Sequence, residues 1–330
     1  MITRRTFVAI VAAGGCVSGF PAAAQQSAKV WRIGFLGLTS PRAAVSVARV
    51  EALRAGLREL GYIEGKKIAI EFRWADGDYD RLPGLAEELI RQKVDVLVTY
   101  STPGAIAAKK ATQSIPIVLA SVGDPTSTGV VTNLARPGGN VTGFAIFTPE
   151  ETAKRLELLR DALPHVQRVA LLANSRNPLY TKAVVPIIQK AAKKLNLELQ
   201  VVYAGAVADF EGAFAAMANE RADSVVLFED PLFSAEAGKL AALAMLHRLP
   251  AVGQVVFADA GGLIGNGANQ LELFRRTAGF IDQIFKGAKA GDLPMQQASR
   301  FELVVNLNTA TALGITLPKQ LLFRADRIIE

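Results

Sequence analysis

The sequence predicts an α/β protein of two doubly wound, parallel-sheet lobes joined by a hinge of several crossovers. Short apolar segments alternate with amphipathic segments along most of the 330 residues, and parallel strands need crossover helices of this kind between them. The alternation runs through two successive rounds, which indicates two similar lobes. Because the C-terminal segments do not simply extend the second round, we expect the chain to cross between the lobes more than once, as hinges do.

The first round predicts five strands and three helices. The strand at 31–37 is apolar and ends at Gly37, and the next helix carries apolar residues at three- and four-residue spacing up to Gly61. Thr102 and Pro103 mark the start of a later helix, since a hydroxyl residue is a favoured N-cap and proline is favoured at the first helical position. The other predicted strands are 67–73, 94–100, 115–120 and 140–146, and the other helix is 81–92.

The second round has the same character, and a tail follows it. Its strands are predicted near 168–173, 198–203, 223–228 and 250–252, and its helices near 179–195, 209–220 and 234–247. The tail contains a glycine-rich segment, a long helix, a connector, one more strand at 301–306 and two short helices. We therefore expect a first lobe of 30–147 with 260–297, and a second lobe of 148–259 with 298–330.

The N-terminal segment, residues 1–24, has the pattern of an export signal. Arg4 and Arg5 precede an apolar run that is too short to span a bilayer, and small residues follow it. The paired arginines favour a twin-arginine signal, with an ordinary secretory signal as the alternative. We therefore expect a periplasmic protein. Cys16 is the only cysteine, and lipid anchoring through it is the minority interpretation.

Charge and motifs disfavour several classes of function. The 37 basic and 30 acidic residues are spread along the chain, which does not indicate a nucleic-acid partner. The sequence has no nucleophile elbow, Walker A loop, His-Glu-x-x-His motif or cysteine pair. Its two histidines, His165 and His247, fit surface or capping positions. We therefore expect no catalytic residues, no metal and no cofactor.

Polar turns follow four of the predicted strands, at 99–104, 121–129, 174–178 and 229–231. Ligands of open parallel sheets bind outside the carboxyl ends of the strands, where the next helix presents unpaired N–H groups. Taken alone, each of these turns fits an ordinary helix cap equally well. Together they predict a cleft for a small polar or zwitterionic solute, in which Asp124 and Asp230 could meet a cationic amine.

Three long segments resemble one known family. They are 51–89, 121–144 ("SVGDPTSTGVV…LARPGGNVTGF") and 261–318, and they are similar to the tryptophan/tyrosine-type solute-binding proteins of bacterial ABC transporters. The resemblance implies a type I periplasmic-binding-protein fold with three crossovers that closes around a solute. It also implies delivery to a membrane permease driven by an ATPase, both on other chains, and we expect a monomer.

The resemblance also implies which residues bind the solute. The candidates are Ser40, Ser101, Thr102, Val122, Gly123, Asp124, Asn140, Thr142, Asn174, Asn177, Asp230, Gly261 and Gly262. The sequence departs from the family pattern at Thr126, at Ser175 with Arg176, and at Asn266. Asn266 stands where a tyrosine is common and would remove an aromatic wall, so the identity of the solute is left open.

Two other functions stay open at this point. An exported α/β enzyme could use Asp124 or Asp230 as a base, although no partner for acid–base chemistry is evident. The chain could also be the ligand-binding subunit of a membrane sensor. Turnover of a bound compound would favour the enzyme, and co-purification with a receptor would favour the sensor.

Overall fold

The computed structural model describes residues 29–146 and 148–330. The predicted signal segment, with Cys16, lies outside the described residues. In chain order the first elements are β1 (Trp31–Gly37), α1 (Ala44–Glu59), β2 (Ile68–Trp74), α2 (Leu82–Arg91), β3 (Val96–Thr99), α3 (Ser101–Ala111), β4 (Ile117–Gly123) and β5 (Val141–Ile146). They agree closely with the elements predicted from the first round of alternation.

The second group of elements runs from the first crossover to the second. It comprises α4 (Thr148–Ala162), β6 (Arg168–Ala173), α5 (Pro178–Lys194), β7 (Glu198–Tyr203), α6 (Phe210–Asn219), β8 (Ser224–Leu227), α7 (Pro231–Ala235), α8 (Ala237–Leu246), β9 (Ala251–Gly253), α9 (Val255–Asp259) and β10 (Ile264–Ala268). The single helix predicted at 234–247 is thus two helices, α7 and α8, which meet at Glu236.

The last group completes both sheets. Its elements are α10 (Gln270–Phe285), β11 (Gln296–Gln297), β12 (Phe301–Asn306), α11 (Leu307–Leu313), α12 (Lys319–Arg324) and β13 (Arg327–Ile329). The terminal strand β13 was not among the predicted elements.

Two sheets define two lobes. The first sheet has the order β11-β5-β4-β3-β1-β2 and is parallel throughout, whereas the second has the order β13-β12-β10-β9-β8-β6-β7 with an antiparallel pair between β10 and β12. Their central strands are almost continuous runs of buried, mainly apolar residues, as expected for sheets covered on both faces, whereas the edge strands β2 and β7 are largely half-buried. The predicted fold class is confirmed.

The chain changes sheet three times, between β5 and α4, between β10 and α10, and between β11 and β12. Residues 264–268 form β10 of the second sheet, so the predicted boundary of the first lobe at 260 moves to about 269. The Gly265-Asn266-Gly267 sequence in this strand has low β propensity, which explains why the sequence predicted only a glycine-rich segment here and no strand.

Helix α10 returns to the first lobe and packs along α1. The two helices are in close contact at Gly56, where a Cβ atom would overlap the main-chain carbonyl of Arg275. This contact holds the returning segment against the first lobe.

Among the described residues, no helix combines the length and the apolar character that crossing a bilayer demands.

We predict that Gly56→Ala lowers the free energy of unfolding by about 1–3 kcal/mol, because the added methyl group forces α1 and α10 apart. Gly279→Ala on α10 is the matched control, since a Cβ there meets no atom within 4 Å. The control should raise stability by about 0.5–1 kcal/mol. Urea unfolding of both variants measures the difference, and equal effects would contradict the close helix contact.

Candidate functional site

The carboxyl edges of the two sheets face each other across a small polar cavity, which we call the inner cavity. The first lobe lines it with Arg49, Tyr100, Ser101, Thr102, Ser121, Gly123, Ile146 and Gln270. The second lobe lines it with Tyr180, Glu229, Asp230, Pro231, Ser234 and Gln254. Its free volume is about 30 Å³, which is room for roughly two water molecules.

A larger space, the outer groove, adjoins the inner cavity. It has a volume of about 390 Å³, within the range of about 300–1,000 Å³ that is typical of small-molecule sites. Its lining is Ala44, Val45, Ala48, Arg49, Glu229, Gln254, Val255, Val256, Asp259, Gly267, Ala268, Asn269, Gln270, Leu271, Glu302 and Arg327. Four of these residues also line the inner cavity, so one small molecule can reach into both spaces.

The carboxylate of Asp230 joins the lobes at the inner cavity. Within the second lobe it accepts hydrogen bonds from Asn174 Nδ2 at 2.8 Å, Asn177 Nδ2 at 3.2 Å and the main-chain N–H of Leu232 at 3.0 Å. The hydroxyl of Tyr79, from the first lobe, donates to it at 2.8 Å. Burial raises the pKa of Asp230, and the hydrogen bonds that it accepts oppose this rise.

Tyr79 keeps its proton in this contact. Burial raises the pKa of the Tyr79 hydroxyl well above its usual value, and the negative charge of Asp230 raises it further.

A second contact between the lobes, from Arg176 Nη1 to Asp78 Oδ1 at 2.9 Å, is half-exposed and contributes little for that reason. A third contact, from Gln270 Nε2 of the first lobe to Glu229 Oε1 of the second, is longer, at 3.3 Å. The Tyr79–Asp230 hydrogen bond is the shortest and most buried of these three polar contacts between the lobes.

Two residues at or next to the cavity have unusual backbone conformations. Ser101 has φ of +61° and Asp124 has φ of +32°, a region in which non-glycine residues are uncommon and strained. The Asp124 carboxylate accepts from Thr126 Oγ1 at 2.9 Å and from the N–H of Ser127 at 3.1 Å. Asp124 Oδ1 is thus used to order its own loop.

The structure brings some of the predicted site residues together. Ser101, Thr102, Gly123 and Asp230 line the inner cavity, and Asn174 with Asn177 hold Asp230 in place. Val122 is buried within β4. Ser40 lies outside both spaces, where its carbonyl accepts from the N–H of Ala43.

Four predicted site residues lie at the wrong edge of their sheets. Asn140 and Thr142 stand at the start of β5, where their side chains donate to main-chain carbonyls of Thr112, Ile115 and Leu293. Gly261 and Gly262 precede β10, and a Cβ at Gly262 would overlap the ring of Phe257. Because parallel strands share one carboxyl edge, residues that begin a strand are separated from the cleft by its full length. Their prediction as solute ligands is corrected accordingly.

Sequence reasoning missed Arg49, Gln254 and Gln270. Arg49 lies on the buried face of α1 with an exposure of 4%, whereas Val47, which the apolar spacing placed on that face, is 51% exposed. The sequence does contain a sign of this position, because Arg49 directly precedes Val50 and so lies within the apolar stripe of the helix. It was overlooked because the spacing argument counts only apolar residues.

A fully buried arginine lies close to two of the crossovers. Arg155 on α4 donates from Nε to the carbonyl of Asn266 at 2.9 Å and from Nη2 to Glu229 Oε2 at 2.8 Å. Glu151 lies 3.8 Å from the same guanidinium. The Asn266 side chain donates to the carbonyl of Glu302 and lines neither space. Arg155 thus ties the first crossover helix to the strand that ends at the second crossover.

Glu151 is protonated at neutral pH. Burial raises its pKa to about 9, the negative charge of Glu229 adds to the rise, and the positive charge of Arg155 opposes it. In the unfolded chain the group returns to its usual pKa of 4.5. The folded protein therefore binds a proton that the unfolded chain releases above about pH 4.5.

We predict that this group makes the wild type less stable as the pH rises. Its contribution is complete below about pH 4.5 and is lost as the pH approaches 9, with a slope of at most about 1.4 kcal/mol per pH unit. Glu151→Gln mimics the protonated form, so its advantage over the wild type should grow between pH 6 and 9. The exposed neighbour Glu150→Gln is the control. Denaturant unfolding across this pH range checks the result, and a constant difference would contradict it.

Comparison with known proteins agrees with this geometry. A curated tyrosine-binding protein of Clostridioides difficile (strain R20291) is 26% identical over 260 residues, which cover 78% of this chain and 74% of that protein. A crystal structure of a conserved domain protein from Vibrio cholerae matches with a TM-score of 0.85 and 27% identity, covering 91% of this chain and 100% of that one.

Two further structures differ in their ligand state. An ABC domain from Streptococcus pneumoniae in complex with L-Trp has a TM-score of 0.84 and 25% identity, over 91% of this chain and 100% of that chain. The ligand-free, open structure of a substrate-binding protein with adhesive properties from Clostridium difficile has a TM-score of 0.64 and 24% identity, over 91% of this chain and 99% of that chain. The family profile described as "ABC transporter substrate binding protein" matches residues 44–329. The chain belongs to this family of ABC transporter substrate-binding proteins.

Proposed function

We propose that the protein captures an amino-acid-like solute outside the cytoplasm, closes its two lobes around it and presents it to the permease of an ABC importer. The observation that carries the proposal is the inner cavity, which both lobes line with polar side chains from the carboxyl edges of their sheets. A ligand favours closure only when its affinity differs between the open and closed states. A solute that contacts both lobes meets this condition.

The arrangement of the lobes supports closure. The structure superposes better on the L-Trp complex than on the ligand-free, open structure, although the two share nearly the same identity with this chain. The buried Tyr79–Asp230 hydrogen bond is a contact that opening would break. The lobes therefore have a closed arrangement in which they touch beside the cavity.

The ligands of two relatives support an amino acid as the solute class. One relative is a tyrosine-binding protein and another binds L-Trp. The hydroxyls of Ser101, Thr102 and Ser121 and the carboxylate of Asp230 offer polar groups that suit a zwitterion. Which amino acid is bound is set by the lining of the outer groove, and we expect binding without turnover.

The remaining parts of the proposal follow from the transport role. Residues 1–24 would direct export to the periplasm, through the twin-arginine or the general secretory route. The permease and the ATPase would be separate chains, and the binding protein would act as a monomer. Co-purification with a sensor instead of a permease would favour the sensory alternative.

The direct test is to recover and identify the bound solute. We expect mass spectrometry of natively purified, then denatured protein to release one small molecule, and calorimetry to show that it rebinds unchanged. Small-angle scattering should show a smaller radius of gyration when it is added. Chemical conversion of the molecule by the protein, or an unchanged radius at saturation, would contradict the proposal.

We predict that Tyr79→Phe weakens solute binding about tenfold. The variant loses a hydrogen bond to a charged acceptor, worth about 1.5–3 kcal/mol, that exists only when the lobes touch. Tyr62→Phe is the matched control, since the Tyr62 hydroxyl donates to Asp282 at 2.9 Å within the first lobe. Calorimetry with the recovered solute should show normal affinity for the control, and equal affinity for both variants would contradict closure through Tyr79.

A further inference from the structure

Arg49 occupies a helix position that the fold otherwise fills with apolar residues. It projects from the same face of α1 as Val50, Leu53 and Leu57, which pack in the core of the first lobe. Its side chain is only 4% exposed, yet it borders both the inner cavity and the outer groove. A charged group in such a buried position needs a compensating partner.

The described residues supply no acceptor for this guanidinium. Its Nε and Nη1 atoms are buried without a hydrogen-bond partner, and Arg49 belongs to none of the ion pairs found among residues 29–146 and 148–330. Its Cζ atom lies 5.0 Å from the ring centre of Tyr100 and 5.6 Å from that of Phe274. Ring faces stabilise the cation, but they leave the in-plane N–H donors unpaired.

The carboxylates that border the same space already have partners. Glu229 accepts from Arg155 Nη2 at 2.8 Å and from Gln270 Nε2 at 3.3 Å. Asp230 accepts from four donors, Tyr79 included. On the outer groove, Asp259 pairs with Arg327 at 2.6 Å, and Glu302 accepts from Asn269 Nδ2. The acceptor for Arg49 must therefore come from a molecule that enters the cleft.

We infer that Arg49 receives the carboxylate of the solute, which assigns the ligand to the organic acids, amino acids included. This inference rests on the proposed function. The planar fork of a guanidinium matches a carboxylate through two parallel hydrogen bonds. It does so along either of two edges, Nε with Nη2 or Nη1 with Nη2, and each edge of Arg49 contains one of the two buried donors that have no partner. Gln270 Oε1, which is also buried without a partner, can accept from a donor group of the same solute, such as an α-ammonium.

The outer groove has room for the rest of the acid. Next to Arg49 it is lined by the apolar side chains of Val45, Ala48, Val255 and Leu271. A carboxylate on Arg49 would place the body of the solute along these side chains. The arginine would thus set the orientation of the solute, and the groove would select its side chain.

The test is a binding screen with matched pairs of compounds. Each carboxylic acid in the panel, including L-tyrosine and L-tryptophan, is paired with its neutral primary amide, and tyramine, tryptamine and neutral sugars complete the panel. Thermal shift identifies binders and calorimetry gives their affinities. We expect the wild type to bind at least one acid and to prefer it to its amide.

Variants then ask whether Arg49 causes this preference. Arg49→Met should weaken acid binding about 100-fold and abolish the preference over the amide, and Arg49→Lys should weaken it at least about tenfold. Arg58→Met on the exposed face of the same helix is the control, with affinity expected within about twofold of the wild type. Without ligand, Arg49→Met should unfold at no lower temperature than the wild type, because the charge that it removes is unpaired. If Arg49→Met does not fold, Arg49→Lys replaces it in the binding measurements.

Each outcome decides the matter. The assignment of Arg49 would be overturned if Arg49→Met still preferred the acid to its amide. It would also be overturned if Arg49→Met lost affinity for the acid and for the amide by the same factor. A wild type that binds only amines, amides or sugars would overturn it while leaving the solute-binding function intact. Binding of nothing in the panel, together with no recovered solute, would contradict both.

Discussion

The hydrogen bond from Tyr79 to the buried carboxylate of Asp230 is the contact on which the arrangement of the two lobes depends. It joins a loop after β2 to the start of α7, and two asparagines hold the carboxylate so that it faces across the cleft. The parallel sheets make this possible, because each sheet presents its polar turns at one edge only. Most of the residues that we propose for solute recognition lie at or beside that pair of edges.

The hinge and the cleft are physically connected. Arg155 binds the carbonyl of Asn266 close to the first two crossovers and holds Glu229, which borders the cleft. A buried arginine that shares two carboxyl groups, one of them protonated, is stable only while its geometry is kept. The elements at the first two crossovers are thus anchored to each other and to the second lobe.

Sequence patterns predicted most of the fold because buried parallel strands are continuous apolar runs with helices between them. They failed at β10, where Gly265 and Gly267 leave little side chain to signal a strand. The candidate site was predicted less well. Asp230, Ser101 and Thr102 follow their strands and lie in the cleft, whereas Asn140 and Gly262 sit in similar polar or glycine-rich turns at the opposite edges. A turn can contribute to the cleft only if it follows the carboxyl end of its strand. The family resemblance did not distinguish such turns from turns that precede a strand.

The measurement that tests this account most directly is a crystal structure of the protein with its own solute bound. The account predicts density between the sheets, in contact with residues of both lobes, with the Tyr79–Asp230 hydrogen bond intact. A solute held by one lobe alone, or a bound form in which Tyr79 and Asp230 are apart, would contradict it.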